Sequence, residues 1–111
     1  GISVIHRRDF DSHSISQIAS KALAALNHCK VIYLDIDVDV CDRSAVPAAP
    51  ASMPGGISAD QLRQLVSNLA QENRVTTFDI TEIDASIDTP DQRTTRLAAL
   101  LILEIAAAKA K

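Results

Sequence analysis

Leu34-Asp35-Ile36-Asp37-Val38-Asp39-Val40-Cys41-Asp42 is the stretch from which the fold is read. Successive side chains of a strand point to opposite sides. On a strand, then, Asp35, Asp37 and Asp39 share one face, while Leu34, Ile36, Val38 and Val40 share the other. Neighbouring carboxylates repel one another and are costly to bury, so something positive is expected against them. Hard oxygen donors at alternate positions near a strand's end suit a divalent cation such as Mn²⁺ or Mg²⁺. The plain structural alternative is a solvated edge strand guarded by its charges.

Outward from this strand the chain alternates between two periods. Upstream, Ile2 to His6 is a short apolar run that reads as a strand, followed by a polar connection from Arg7 to His13. Ser14 can cap a helix whose apolar residues Ile15, Ile18, Ala19, Ala22, Leu23 and Leu26 recur at helical spacing, with Asn27-His28 at its end. His28 reads as a residue of the last turn, where positive charge suits the helix dipole. The central strand spans Lys30 to Val40. Downstream of Asp42 comes a long loop of Pro, Ala and Gly closing on Gly55-Gly56. Ser58-Ala59-Asp60-Gln61 is a capping box opening a helix with Leu62, Leu65, Val66 and Leu69 as its stripe. Arg74 to Ile80 is rich in β-branched residues and reads as a strand. Thr89-Pro90-Asp91-Gln92 predicts a last helix with Pro90 at its first position, running through Leu97, Leu100, Leu101, Ile105 and Ala108.

Such an order predicts an α/β fold, a parallel sheet with helices on both faces. In such sheets ligands bind beyond the carboxyl ends of the strands. Asp37, Asp39 and Glu82 all fall at or past those ends.

Composition narrows the function classes. The net charge is −3 and the eleven Lys and Arg are scattered, so there is no basic footprint for nucleic acid. No apolar run of about eighteen residues occurs, so no membrane span is expected. Hydrophobic content of 47% with only 3% aromatics gives an Ala/Ile/Leu/Val core. Cys29 and Cys41 lack a CxxC spacing and read as reduced thiols of a cytoplasmic protein. The start at Gly1-Ile2-Ser3, without an initiator Met, reads as a piece of something longer.

The run from Asp37 to Gly56 resembles the signature of the ureohydrolases, the family of arginases, agmatinases and formimidoylglutamases. The family's Asp-x-Asp-x-x-Asp, proline and Gly-Gly fall here on Asp37, Asp39, Asp42, Pro47, Gly55 and Gly56. Arg43 departs from it, standing where the family has proline. Phe78-Asp79-Ile80-Thr81-Glu82-Ile83-Asp84 is similar to the family's Asp-Ile-x-Glu-Val-Asn-Pro, with Asp84 and Ala85 departing at the last two positions. Ile87 to Ala99, with its Arg-Thr-x-Arg core, looks most like the formimidoylglutamase branch. Asp9-Phe10-Asp11-Ser12-His13 has the composition of the family's Asp-x-His-x-Asp metal motif but the wrong order, and reads as a loop.

The resemblance implies an arginase-like three-layer α/β/α domain, of which residues 1–111 are a C-terminal fragment supplying about three strands. It implies two Mn²⁺ ions per active site in the intact enzyme, with Asp37 and Asp39 as ligands and Asp37 better placed to bridge. The ions would lower the pKa of a shared water that attacks an amidine carbon. By the same match Glu82 pairs with the planar cationic C–N group of a small amidine or guanidine substrate. Asp35, one pleat earlier, is expected to be protonated, hydrogen-bonded or salt-bridged, and Asp42 to orient Arg43 or cap backbone amides. The implied activity is that of formimidoylglutamase in histidine breakdown, converting N-formimino-L-glutamate to L-glutamate and formamide; agmatinase and arginase are the alternatives. A non-catalytic Mg²⁺-binding α/β module, such as a receiver domain, is the reading from another class, although Ile80 to Ala85 lacks the lysine it needs. The family's other ligands, a histidine and the Asp-x-His-x-Asp cluster, come from earlier strands. The 111 residues alone are therefore expected to be inactive, to hold no manganese tightly, and to self-associate, with a homo-oligomer as the native state.

Overall fold

Two β-branched segments form the sheet: β1 (Ile32–Asp37) and β2 (Val75–Thr81). A computed structural model describes residues 1–111 and pairs the two strands in parallel, Leu34 opposite Phe78, Asp35 opposite Asp79, Ile36 opposite Ile80 and Asp37 opposite Thr81. The register shifts between Ile32 and Tyr33, leaving Thr76 as an extra residue on β2. A parallel pair needs a crossover, and α2 (Ala59–Ala70) provides it. Helix α1 (Ile15–Ala25) precedes β1 and α3 (Arg93–Lys109) follows β2.

Both capped helices begin where the sequence says. The Gln17 N–H donates to Ser14 Oγ at 3.3 Å and the Ser14 N–H to Gln17 Oε1 at 2.8 Å. Ser58 and Gln61 repeat the exchange at 3.0 and 2.9 Å. Two otherwise unsatisfied N–H groups are thereby paired at each start.

The helices pack in a row with α2 in the middle, touching α1 on one side and α3 on the other. The core joins Ile36 and Val38 to Leu62 and Val66 of α2 and to Leu97 and Leu101 of α3. Its remaining members, Cys41, Val46, Ala49 and Ile57, come from the Pro/Ala/Gly loop. That loop is therefore a structural element; fully burying a side chain like Val46 contributes about 1.5–3 kcal/mol.

Leu34, Ile36 and Ile80 face this core, whereas Tyr33, Asp35, Thr77 and Asp79 occupy the opposite face of the sheet. No helix of these residues covers that second face, and Tyr33 is 57% exposed there. One of the two helical layers is present.

Four expectations need correction. Ile2 to His6 has no regular structure and pairs with no strand, with Ile2 94% exposed, so the sheet has two strands rather than three. An apolar run becomes a strand only when a neighbour takes its N–H and C=O groups. The central strand ends at Asp37 instead of continuing to Val40; Val38–Val40 is a single 3₁₀ turn. Helix α1 ends at Ala25, which leaves His28 beyond the last turn. Finally, α3 begins at Arg93, and Pro90 sits in the preceding turn, closed by the Gln92 N–H on the Thr89 carbonyl at 2.7 Å.

Candidate metal and substrate site

The turn after β1 is made by one carboxylate. Asp37 Oδ1 accepts the Asp39 N–H at 3.0 Å, which folds Val38–Val40 back on the strand end and sinks Val38 into the core. Asp37 and Asp39 are consequently brought together by a turn and not by the pleat of a strand. Burial holds the Asp39 carboxyl above the usual carboxylate range, and the charge and hydrogen bond of Asp37 and then the charge of Glu82 push the same way. Asp39 thus lies beside Asp37 and within the field of Glu82 at the carboxyl end of the sheet. Asp35 stays outside the group: it accepts the Thr81 hydroxyl at 3.0 Å on the uncovered face.

Glu82 is exposed and has φ +63°, a left-handed backbone uncommon for a residue with a side chain. It stands between two anchored neighbours. Ile83 packs against the core, and the Asp84 N–H donates to the Ala48 carbonyl at 2.9 Å. Asp84 also accepts the Ser86 N–H at 3.0 Å, which starts the turn Ala85–Ile87.

The loop beside these groups is pinned by Asp42. Its carboxylate accepts the Ser44 hydroxyl, the Gly55 N–H at 2.7 Å and the Ser44 N–H at 2.9 Å, and these bonds hold its pKa at about 2. Gly55 has φ +93°, and a Cβ on Gly56 would lie 2.3 Å from the backbone of Cys41 and Asp42. Only glycine fits that approach, where Cys41 and Ile57 form a parallel bridge. Arg43 donates to the Ala49 and Pro50 carbonyls at 3.3 and 3.1 Å, bracing the loop from within. Asp39, Val40, Met53 and Gly55 line a cleft of about 380 Å³ together with Arg7, whose Nε donates to the Gly55 carbonyl at 3.1 Å.

Chemically, two apposed carboxylates are the donor type that a divalent cation satisfies. No three His, Cys, Asp or Glu side chains converge as a metal-holding group, so the donor set these residues offer is partial. His13 is not near such a group; its ring nitrogen bonds locally to the Asp9 carbonyl and Ser12 Oγ at 3.1 and 3.0 Å.

The model of the arginase family matches residues 1–108. The chain belongs to the arginase family. Among its relatives, the formimidoylglutamase of Corynebacterium efficiens is 31% identical over 111 residues, which is 100% of this chain and 35% of the relative. The crystal structure of the Bacillus subtilis formimidoylglutamase matches with a TM-score of 0.73 at 30% identity, over 87% of this chain and 33% of that one. The Bacillus cereus arginase structure gives a TM-score of 0.85 at 22% identity over 94% of this chain and 36% of that one, a likeness of fold. The arginase-like α/β architecture follows, and the chain spans about a third of the length of the relatives it matches.

Within this arginase-family segment, several structural residues escaped the sequence reading. Thr94 is fully buried and its Oγ1 accepts the Ala48 N–H at 3.0 Å, tying the start of α3 to the loop. Asp88 accepts the Thr95 N–H and hydroxyl, both at 2.9 Å; these bonds outweigh its burial and hold its pKa at about 2. One oxygen of Asp79, Oδ1, is buried without a hydrogen-bond partner. Nothing in local periodicity signals these partners, which lie up to 46 residues away.

Proposed function

We propose that this chain supplies part of the active site of a manganese-dependent hydrolase that cleaves the C–N bond of a linear amidine, with N-formimino-L-glutamate as substrate. The observation that carries the proposal is the turn that pairs Asp37 with Asp39 at the carboxyl end of β1, with Glu82 directly past the end of the parallel β2. Formimidoylglutamases among the relatives favour that substrate over agmatine or arginine. Asp37 and Asp39 would hold the metal, whose charge would offset the proton-retaining tendency that burial and then Asp37 impose on Asp39. When bound, the metal pair would supply an acidified water to attack the amidine carbon. Glu82 would take the amidine N–H groups in charge-assisted hydrogen bonds and orient that carbon. The braced loop of Asp42, Gly55 and Gly56 would wall the site.

The setting we propose is cytoplasmic, in keeping with two free cysteines, and the native state a homo-oligomer. Ile102 and Leu103 on α3, 59% and 63% exposed, support association. No helix is long and apolar enough to cross a membrane.

The test is Mn²⁺-dependent formamide release from N-formimino-L-glutamate by the full-length protein, run beside urea release from agmatine and arginine. Formamide release that a chelator abolishes and Mn²⁺ restores is the expected result. Urea release alone would move the substrate to the agmatinase or arginase type, and no turnover of any amidine would overturn the proposal. Residues 1–111 by themselves are expected to turn over nothing.

A further inference from the structure

A left-handed backbone at a non-glycine residue is unfavourable by itself, so its neighbours must hold it. On the far side of Glu82 the hold is visible: Ile83 in the core and the Asp84 N–H on the Ala48 carbonyl at 2.9 Å. On the near side it is the Thr81 hydroxyl, which donates across the strand pair to Asp35 Oδ1 at 3.0 Å. Asp35 is an odd residue to find there. It sits opposite Asp79 in the register, and like charges directly opposite on paired strands destabilise them. It touches neither Asp37 nor Asp39 by any hydrogen bond, and what it provides is an acceptor for Thr81.

We infer that Asp35 is a positioning residue: through the Thr81 hydroxyl it fixes the end of β2 and so aims Glu82 at the amidine. This rests on the amidine-binding role proposed for Glu82. If Glu82 grips the substrate equally before and during reaction, misaiming it raises KM and leaves kcat nearly unchanged. The acceptor matters and the charge does not, so an amide at position 35 serves as well as a carboxylate.

The experiment compares the full-length, Mn²⁺-loaded protein with Asp35→Ala, Thr81→Val, Asp35→Asn and the Asp35→Ala/Thr81→Val double variant. Both single losses are expected to raise KM for N-formimino-L-glutamate about tenfold, with kcat within about twofold, as for one lost hydrogen bond. The double variant should be no worse than either single, since one bond is removed in all three. Asp35→Asn should keep the wild-type KM. Wild-type KM in both Asp35→Ala and Thr81→Val, or an Asn variant as impaired as Ala, would overturn the inference. Thr81→Ser, which keeps the hydroxyl, replaces Thr81→Val as the informative variant should the latter misfold; it should behave as wild type. Amide hydrogen exchange over residues 81–84 gives a readout separate from turnover. It should quicken severalfold in Thr81→Val and not in Asp35→Asn. An inactive wild type would refute the role of Glu82, while unchanged exchange in Thr81→Val would refute the positioning by Asp35.

Discussion

Asp42 shows how far a single carboxylate can organise its surroundings. It gathers three donors from Ser44 and Gly55 and holds the two ends of the loop together. Its folded pKa of about 2 lies below the ordinary 3.8. A carboxylate with a depressed pKa contributes stability that is complete above the unfolded value and is lost as pH falls through the folded one. Wild-type stability should thus decline between about pH 4 and pH 2, with Asp88 adding to the same window. Asp42→Asn should be less stable than wild type at pH 7, and its acid unfolding curve should be shallower over that window. Equal slopes in a denaturant titration at each pH would refute this. The third aspartate of the signature was legible as a capping residue. That the first two lie together was legible, but not why: a pleat was expected to align them, and a side chain-to-backbone turn does so instead. Alternation along a strand carries no sign that one of its own carboxylates will end it.

At the level of elements, the starts of α1 and α2 were readable because a capping box is local, two residues three positions apart bonding each other. The start of α3 was not. Gln92 adopts φ +52° and gives no side-chain cap; Asp88 serves from outside by accepting the Thr94 and Thr95 N–H groups. A proline read as the first helical residue sits in a turn because that geometry, set by Asp88 and buried Thr94, takes precedence over propensity. The local cap is the better test of additivity. Ser58→Ala should lower stability by about 1 kcal/mol in chemical denaturation. A change under about 0.3 kcal/mol would show that core contacts of Leu62 and Val66 alone hold α2.

For the molecule as a whole, the parallel α/β class was present in the order of apolar periods. The number of strands was not, because Ile2 to His6 has strand composition without a strand beside it. Pairing is a property of neighbours, and a single segment cannot state it. The same holds for the sheet face bearing Tyr33, Asp35 and Asp79. Its polarity says nothing of what lies across from it.

Cys41 lies at the seam where strand end, loop and Gly56 meet, wholly buried, with its thiol pushed up to about 11 by burial and by Asp42. Only the thiolate reacts with alkylating agents, so this sulfur is silent while the seam is shut. Cys29, partly exposed, should label at once and serve as the internal reference. Modification of Cys41 should then advance at the rate at which the seam parts, and slow when Mn²⁺ and substrate occupy the full-length protein. Labelling of both cysteines at one rate would mean that the seam breathes freely. In effect the molecule carries a timer for the opening of the loop beside Asp39.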